Sequence, residues 1–175
     1  MNLPQLIPHT DAVAPFTSSK ADHGWLGNMS RYKVMHEDRE YETAEHLFQC
    51  MRFDSPAIIA QIRKENNPYK AKLIAKANAQ YMVVEQLSEQ DIANMRTVLF
   101  RKLNSNKDIL EPLAIELHGK YIVEDVSKRL GGSSLFWGAT LVSNYWCGAN
   151  VLGHLWMDVI TKYLQNDIFF ASNGH

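Results

Sequence analysis

The sequence lacks several features that would place it in a specialised class of protein. It has only two cysteines, Cys50 and Cys147, in 175 residues, too few for a disulfide scaffold and without the paired spacing of a zinc site. We expect both thiols to be reduced and buried. No run approaches the 18 apolar residues of a membrane-spanning helix, and no basic leader precedes an apolar segment. The sequence therefore predicts a soluble, cytoplasmic protein with no membrane partner.

An excess of charge of one sign is also missing. Lys and Arg number 18 and Asp and Glu number 19, so the formal net charge is −1. A general electrostatic attraction to nucleic acid is not expected, and any contact with nucleic acid would be local. With 46% hydrophobic and 21% charged residues, the composition is that of a globular protein, and the length corresponds to about one domain.

Helix signals dominate the chain after Tyr41. Residues that favour helix N-caps precede apolar, periodic stretches at four places: Thr43, Ser55, Asn67 and Ser88. The second and third are followed by proline, which suits the first helical position because no N–H is needed there. Two more helices are predicted over 108–117, interrupted by Pro112, and over 151–164.

Strand signals are few. Residues 32–35 and 121–123 are short β-tolerant runs, sufficient for one short hairpin at most. Residues 1–20 contain three prolines and no helical period, which predicts an irregular extension. The sequence therefore predicts a mainly α fold, with a single multihelical domain over 21–175.

Two familiar site signatures are incomplete. The run from His36 begins like a zinc-binding helix, but Glu40 stands where the second histidine is needed. The glycines at 148–153 have the spacing of a phosphate-binding loop, but His154 and Leu155 replace its lysine and hydroxyl residue. We predict neither a metal nor a bound cofactor.

One polar group on a predicted helix is a candidate site. Glu45 and Gln49 are four residues apart and share a helical face, and His46 lies about 100° round from them. Together with flanking aromatic residues, they could bind a polar ring compound. The alternative is a capped helix whose acidic residue interacts with the positive end of the helix dipole.

The stretch YETAEHLFQCMRF, residues 41–53, resembles the central motif of the YbiA-like, or NADAR, family, Y-x-S/T-x-E-H-x-x-Q-x-x-K-F. Lys102 matches the family lysine, and Glu124 matches its acidic position. Other blocks similar to the family pattern follow in the family's order: WLGN at 25–28, Pro68 with Ala71-Lys72, VLFRKLN at 98–104, Trp137-Gly138, and GANVLGHLWM at 148–157. The chain departs from the pattern at Arg52, which replaces a lysine, and at Ala75-Lys76, which replaces Gly-Arg.

The resemblance implies a mainly α-helical N-glycosidase that needs no cofactor. Members of the family cleave ribosylamino-pyrimidine intermediates of riboflavin synthesis or remove ADP-ribose from modified guanine in nucleic acid. In both substrates, ribose C1 is attached to an exocyclic amine nitrogen. The expected partner is therefore ADP-ribosylated guanine or an N-ribosyl small molecule. The alternative is a non-catalytic module that binds ADP-ribose or a nucleotide. The departures from the family motif at Arg52 and Ala75-Lys76 are consistent with a site that kept its ligand but lost turnover.

Within that resemblance, Glu45 is the candidate catalytic carboxylate and Lys102 the candidate amine nucleophile. Each role has a structural alternative: Lys102 as a solvated helix lysine, the aromatic residues as core anchors, and the glycines as turn formers. The candidate substrate-binding residues are Trp25, Asn28, Tyr41, His46, Gln49, Arg52, Glu124, Trp137, Gly138, Gly148, Asn150 and Gly153.

Overall fold

A computed structural model describes residues 6–18 and 20–172, with side chains up to residue 165. The chain divides into two compact units. Unit 1 comprises residues 1–27 and 112–175, and unit 2 comprises residues 28–111. Within the described residues, no helix is both long and apolar enough to cross a membrane. The expected division into an extension over 1–20 and one domain over 21–175 stays a prediction.

Seven helices span the described residues: α1 Ala44–Cys50, α2 Pro56–Lys64, α3 Pro68–Ala77, α4 Glu89–Ser105, α5 Lys107–Leu117, α6 Ser134–Trp137 and α7 Val151–Ser172. The four helices predicted to begin after Thr43, Ser55, Asn67 and Ser88 are present as α1 to α4, and the side chain of Ser55 makes no capping hydrogen bond. Asn67 accepts hydrogen bonds from two first-turn N–H groups of α3, and Ser88 accepts one from Asp91 of α4. The helix predicted to be interrupted by Pro112 is continuous, and α7 extends beyond its predicted end.

The described strands are β1 Ile7–Pro8, β2 Val13–Phe16, β3 Val34–His36, β4 Arg39–Tyr41, β5 Tyr121–Glu124, β6 Thr140–Val142 and β7 Tyr145–Cys147. They form three small sheets: an antiparallel sheet of order β1-β7-β6, a parallel pair β2-β5, and the β3-β4 hairpin.

The expectation of one short hairpin at most is wrong. Strands of two to four residues are too short to show the alternation of apolar and polar residues that reveals a strand in a sequence. Two of them, β1 and β2, fall within the proline-containing first twenty residues. Pro8 and Pro15 are tolerated there because both strands lie at sheet edges. The mainly α content and the helix order were predictable, whereas the sheets were not.

In unit 1, β5 packs against β2 and α7. Val13 of β2 and Val123 of β5 join Ala139 and Trp146 in one buried apolar cluster. Because these residues are far apart in the chain, unit 1 forms only when its two chain segments meet.

In unit 2, α1 packs against α2, α3 and α4, and all seven of its residues are buried. A helix buried on every side is usually apolar throughout. This one carries Glu45, His46 and Gln49, each at most 5% exposed. Since buried polar groups need partners, the contacts of these three side chains determine what α1 can do.

The two cysteines are both free thiols, as their number predicts. Cys50 is buried, and burial raises the pKa of its thiol to about 12. Cys147 is half-buried rather than fully buried. At neutral pH the Cys50 thiol is therefore protonated, which makes it a poor nucleophile.

Candidate active site

Glu45 places a buried carboxylate in the first turn of α1, where the helix dipole favours negative charge. Its backbone N–H donates to the carbonyl of Asn28 at 2.9 Å. Its Oε1 accepts a hydrogen bond from Nε2 of Gln49 at 2.8 Å. In the described part of the chain, Glu45 forms no ion pair. A buried carboxylate without a cation is costly for the fold, which marks it as a functional candidate.

Gln49 is held from its other end by Arg52. The Nη1 of Arg52 donates to Oε1 of Gln49 at 3.2 Å. The same guanidinium binds Asp91 with two hydrogen bonds, Nε to Oδ1 at 2.8 Å and Nη2 to Oδ2 at 2.7 Å. Its side chain is 8% exposed and that of Asp91 is fully buried. Four side chains, Glu45, Gln49, Arg52 and Asp91, therefore form one continuous hydrogen-bonded row.

His46 uses both ring nitrogens within the protein. Its Nε2 lies 2.8 Å from the carbonyl oxygen of Glu65, which can only accept, so Nε2 carries the proton. Its Nδ1 then accepts from the hydroxyl of Thr43 at 2.8 Å. His46 thereby ties the start of α1 to the residue that ends α2.

Lys102 is fully buried on α4. Its Nζ donates to Oγ of Ser30 at 2.7 Å and lies 5.6 Å from the centre of the Tyr32 ring. Burial lowers the pKa of its ammonium from 10.5 to about 7, because desolvation disfavours the charged form. Near neutral pH, a substantial fraction of this side chain is a neutral amine, the form that acts as a nucleophile.

The short segment 28–30 links the acid and the amine. Asn28 binds the backbone of Glu45 and Ser30 binds the side chain of Lys102. Two residues of extended chain span about 7 Å at most. The side chain of Asn28 donates to the sulfur of Met95 at 3.3 Å. Its Oδ1 is buried and accepts no hydrogen bond within the described residues.

The candidate aromatic residues of the two units have different partners. Tyr41 in unit 2 is 6% exposed, and the guanidinium of Arg63 lies 5.2 Å from the centre of its ring. Trp25 in unit 1 is 7% exposed and packs edge-to-face against Trp156, with the ring centres 5.2 Å apart. Trp137 is half-buried, with a similar contact to Phe136.

The comparisons with known proteins agree with the resemblance seen in the motifs. The model of the NADAR domain matches residues 15–163. The chain belongs to the NADAR family. The fold is similar to that of the E. coli protein YbiA, solved by NMR, with a TM-score of 0.75 and 21% identity over 95% of this chain and 94% of that one. No curated protein matches significantly.

The remaining candidates of this NADAR protein lie in unit 1 around Asn150. This residue has a positive φ of 48° and is 3% exposed. Its Nδ2 donates to the carbonyl of Ile122 at 2.8 Å, and its Oδ1 accepts from the N–H of Glu124 at 3.1 Å. The Glu124 carboxylate accepts from Arg129 at 3.3 Å. Asn150 therefore satisfies two backbone groups of β5.

The three glycines of this region allow close backbone approach. A Cβ on Gly138 would lie 2.5 Å from the carbonyl oxygen of Glu124, and one on Gly153 would overlap the carbonyl of Ile122. Gly148 approaches the backbone of Gly138 and Ala139 in the same way. These positions exclude larger residues for packing reasons alone.

The candidate residues divide equally between the units. Unit 2 holds Asn28, Tyr41, Glu45, His46, Gln49, Arg52 and Lys102. Unit 1 holds Trp25, Glu124, Trp137, Gly138, Gly148, Asn150 and Gly153. None of them lines a cavity of about 230 Å³ that lies in unit 1 between residues 117–121 and Met157, Ile160 and Thr161 of α7. In the described residues, no group of three or more His, Cys, Asp or Glu side chains is arranged to hold a metal ion.

Two residues that matter to this geometry were not singled out from the sequence. Ser30 accepts from Lys102 across 72 residues, and Asp91 binds Arg52 across 39. Asp91 looks like a first-turn acidic residue of α4, and Ser30 has no distinctive local pattern. Because both roles depend on tertiary contacts, no local sequence signal could reveal them.

We expect Asn150→Ala to lower the free energy of unfolding by about 3 kcal/mol, because it leaves two backbone groups of β5 without their partner. Chemical denaturation measures the change. Asn144→Ala is the matched control, since Asn144 also has a positive φ, of 68°, but is exposed in a turn. A loss no larger than that of the control would show that the two hydrogen bonds contribute little.

Proposed function

We propose that this protein is an N-glycosidase that hydrolyses the bond between ribose C1 and an exocyclic amine nitrogen. The preferred substrate is ADP-ribosylated guanine, in nucleic acid or as a nucleotide, or a ribosylamino-pyrimidine. The NADAR family is associated with N-glycosidase-like activity. The small net charge of the chain favours a local contact with the modified base over an extended nucleic-acid surface.

The observation that carries this proposal is the burial of the Glu45 carboxylate and the low-pKa amine of Lys102 in one unit, where the backbone N–H of Glu45 bonds to Asn28 and Nζ of Lys102 bonds to Ser30 of the same short segment. Glu45 is 5% exposed and has no ion-pair partner in the described chain, and Lys102 is fully buried. Burying an ionisable side chain at either position lowers the stability of the fold. A site that acts on a positively charged, sugar-derived intermediate would make use of both groups.

The carboxylate suits the charge that develops during cleavage. Loss of the base from C1 proceeds through an oxocarbenium-like transition state, which a nearby carboxylate stabilises. The same carboxylate can accept a proton from the attacking water, and this proton ends on the departing nitrogen, so that the base leaves as its neutral amine. The row of hydrogen bonds behind Glu45 holds it through Oε1, which leaves Oε2 for the substrate.

The amine suits a second route through an imine. When the ribose ring opens, C1 forms an imine with the exocyclic nitrogen of the base. The neutral amine of Lys102 adds to C1, the base departs as its free amine, and a new imine joins C1 to Nζ. Water then hydrolyses this imine and returns the lysine amine together with the free sugar. The lowered pKa of Lys102 supports this route.

Asn28 offers a binding contact. Its buried Oδ1 has no partner within the described residues, and a sugar hydroxyl is a suitable donor to it. The position of Asn28 beside the backbone of Glu45 supports a ribose at this place.

A substrate panel tests the proposed activity. We expect the protein to release free ADP-ribose from ADP-ribosylated guanosine or its DNA form, or free base from a ribosylamino-pyrimidine phosphate, as detected by mass spectrometry. Calorimetry with ADP-ribose accompanies the assay. Binding of ADP-ribose without turnover of any panel member would favour the non-catalytic module. If the protein neither binds ADP-ribose nor turns over any panel member, both functions are excluded.

A further inference from the structure

We infer that Arg52 is a positioning residue that sets the orientation of Gln49 and, through it, the donor presented to Glu45. The inference rests on the proposed function for its catalytic consequence. It assigns Arg52 a role different from the substrate contact expected from the sequence, and it depends on an arginine where the family motif has a lysine.

The first step is the fixing of the guanidinium plane. Two parallel hydrogen bonds, 2.8 and 2.7 Å long, join Arg52 to the buried carboxylate of Asp91. Asp91 is itself fixed, because its Oδ2 also accepts from the N–H of Leu87 at 2.9 Å and its own N–H donates to Ser88. The guanidinium also lies over the ring of Phe48, 4.3 Å from the centre. A two-point contact with a fixed acid leaves the guanidinium little rotational freedom.

The second step is the choice between the two orientations of the Gln49 amide. With the plane fixed, Nη1 of Arg52 points a donor at Gln49 from 3.2 Å. Only the carbonyl end of the amide can accept it, so the NH₂ end is directed at Glu45, 2.8 Å away. The reversed amide would face a donor with a donor and an acceptor with an acceptor, and would lose both hydrogen bonds.

The third step is the consequence for Glu45. Its carboxylate gains a donor whose direction is set by Asp91, on another helix, through two intervening side chains. The spacing 45, 49 and 52 places all three residues along one side of α1 and its end. A lysine at 52 has a compact ammonium without the planar fork that serves two acceptors at once. The arginine therefore adds a constraint on the catalytic carboxylate that a lysine does not supply.

A double-mutant cycle tests the inference. The variants are Arg52→Lys, which keeps the charge, and Gln49→Met, which keeps the Arg52–Asp91 pair. We expect each to lower kcat about tenfold with KM changed less than twofold, and the double variant to be no slower than the slower single variant, because both remove one row of contacts. Arg96→Lys is the matched control, since Arg96 is an exposed helix arginine of the same unit. The inference would be overturned if the double variant lost kcat by the product of the two single losses, or if the single variants raised KM without lowering kcat.

A second measurement, by NMR, does not depend on enzymatic turnover and therefore tests this inference separately from the proposed function. In isotopically labelled protein, we expect Arg52→Lys to speed hydrogen exchange of the Gln49 side-chain amide about tenfold and to move the carboxyl carbon resonance of Glu45, while Arg96→Lys does neither. Gln49→Met should move the same Glu45 resonance, and it covers the case in which Arg52→Lys does not fold. If the variants change these resonances but the wild type is inactive on every substrate, the glycosidase proposal is contradicted and the positioning role is not. If the Glu45 resonance is the same in the wild type and in both variants, the positioning role is contradicted, whatever the activity.

Discussion

Glu45→Gln is expected to reduce release of ADP-ribose about 1,000-fold while leaving the fold intact. In the proposed mechanism, the substitution removes both the negative charge that stabilises the oxocarbenium ion and the base that accepts a proton from water. Loss of a positioned charge or base has effects of this order. It keeps the shape of the side chain and an oxygen that can accept from Gln49. Single-turnover rates on ADP-ribosylated guanosine measure the loss, and thermal unfolding with circular dichroism checks the structure.

Glu42→Gln is the matched control for this prediction. Glu42 lies three residues earlier, its side chain is 41% exposed, and it faces Lys33 at 3.6 Å. An exposed ion pair contributes little to stability, so we expect this variant to keep full activity and a similar melting temperature. If Glu45→Gln retains activity as Glu42→Gln does, Glu45 is a structural acid at a helix N-terminus and has no catalytic role.

The position of α1 was predictable from the sequence because its signals are local. Thr43 and the spacing of Glu45 and Gln49 predict both the start of α1 and the face that its polar residues share. The same holds for α2 and α3, where a polar residue followed by proline marks the boundary, and for α4, which begins after Ser88. Features that depend on a few neighbouring residues are therefore predictable from the chain alone.

The environment of Lys102 shows where that prediction ends. The apolar pattern of α4 includes Phe100, which the structure leaves 36% exposed, while Asp91 and Lys102 are fully buried. Asp91, Met95, Val98 and Lys102 follow one another at helical spacing and share the buried face. Hydrophobicity alone assigns the two charged residues to solvent, because their burial depends on Arg52 and Ser30, which are distant in sequence.

Lys102→Arg is expected to abolish the covalent intermediate of the proposed imine route. If the imine route operates, borohydride added during turnover reduces the imine and leaves ribose bound to Nζ of Lys102, which mass spectrometry detects as an adduct. An arginine keeps a cation at this position but cannot form the imine. Lys70→Arg is the matched control, because Lys70 is an exposed lysine of unit 2, and it should keep the full adduct yield.

The pH dependence supplies an independent test of the same amine. Because burial lowers the pKa of Lys102 to about 7, the folded protein releases a proton near pH 7 that the unfolded chain keeps up to about pH 10.5. Between these values the unfolded state binds more protons, so the stability of the wild type rises with pH. Lys102→Met should therefore be more stable than the wild type at pH 6, with the difference shrinking toward pH 10.

The formation of the adduct should follow the same titration. Only the neutral amine adds to C1, so the initial rate of adduct formation should rise with pH through about 7 and then level off, provided that the fold remains intact. A rate that keeps rising toward pH 10 would mean that Lys102 titrates like an exposed lysine. An unchanged adduct yield in Lys102→Arg would assign the covalent step to another amine, and an active wild type without any adduct would leave Glu45 and water as the route of cleavage.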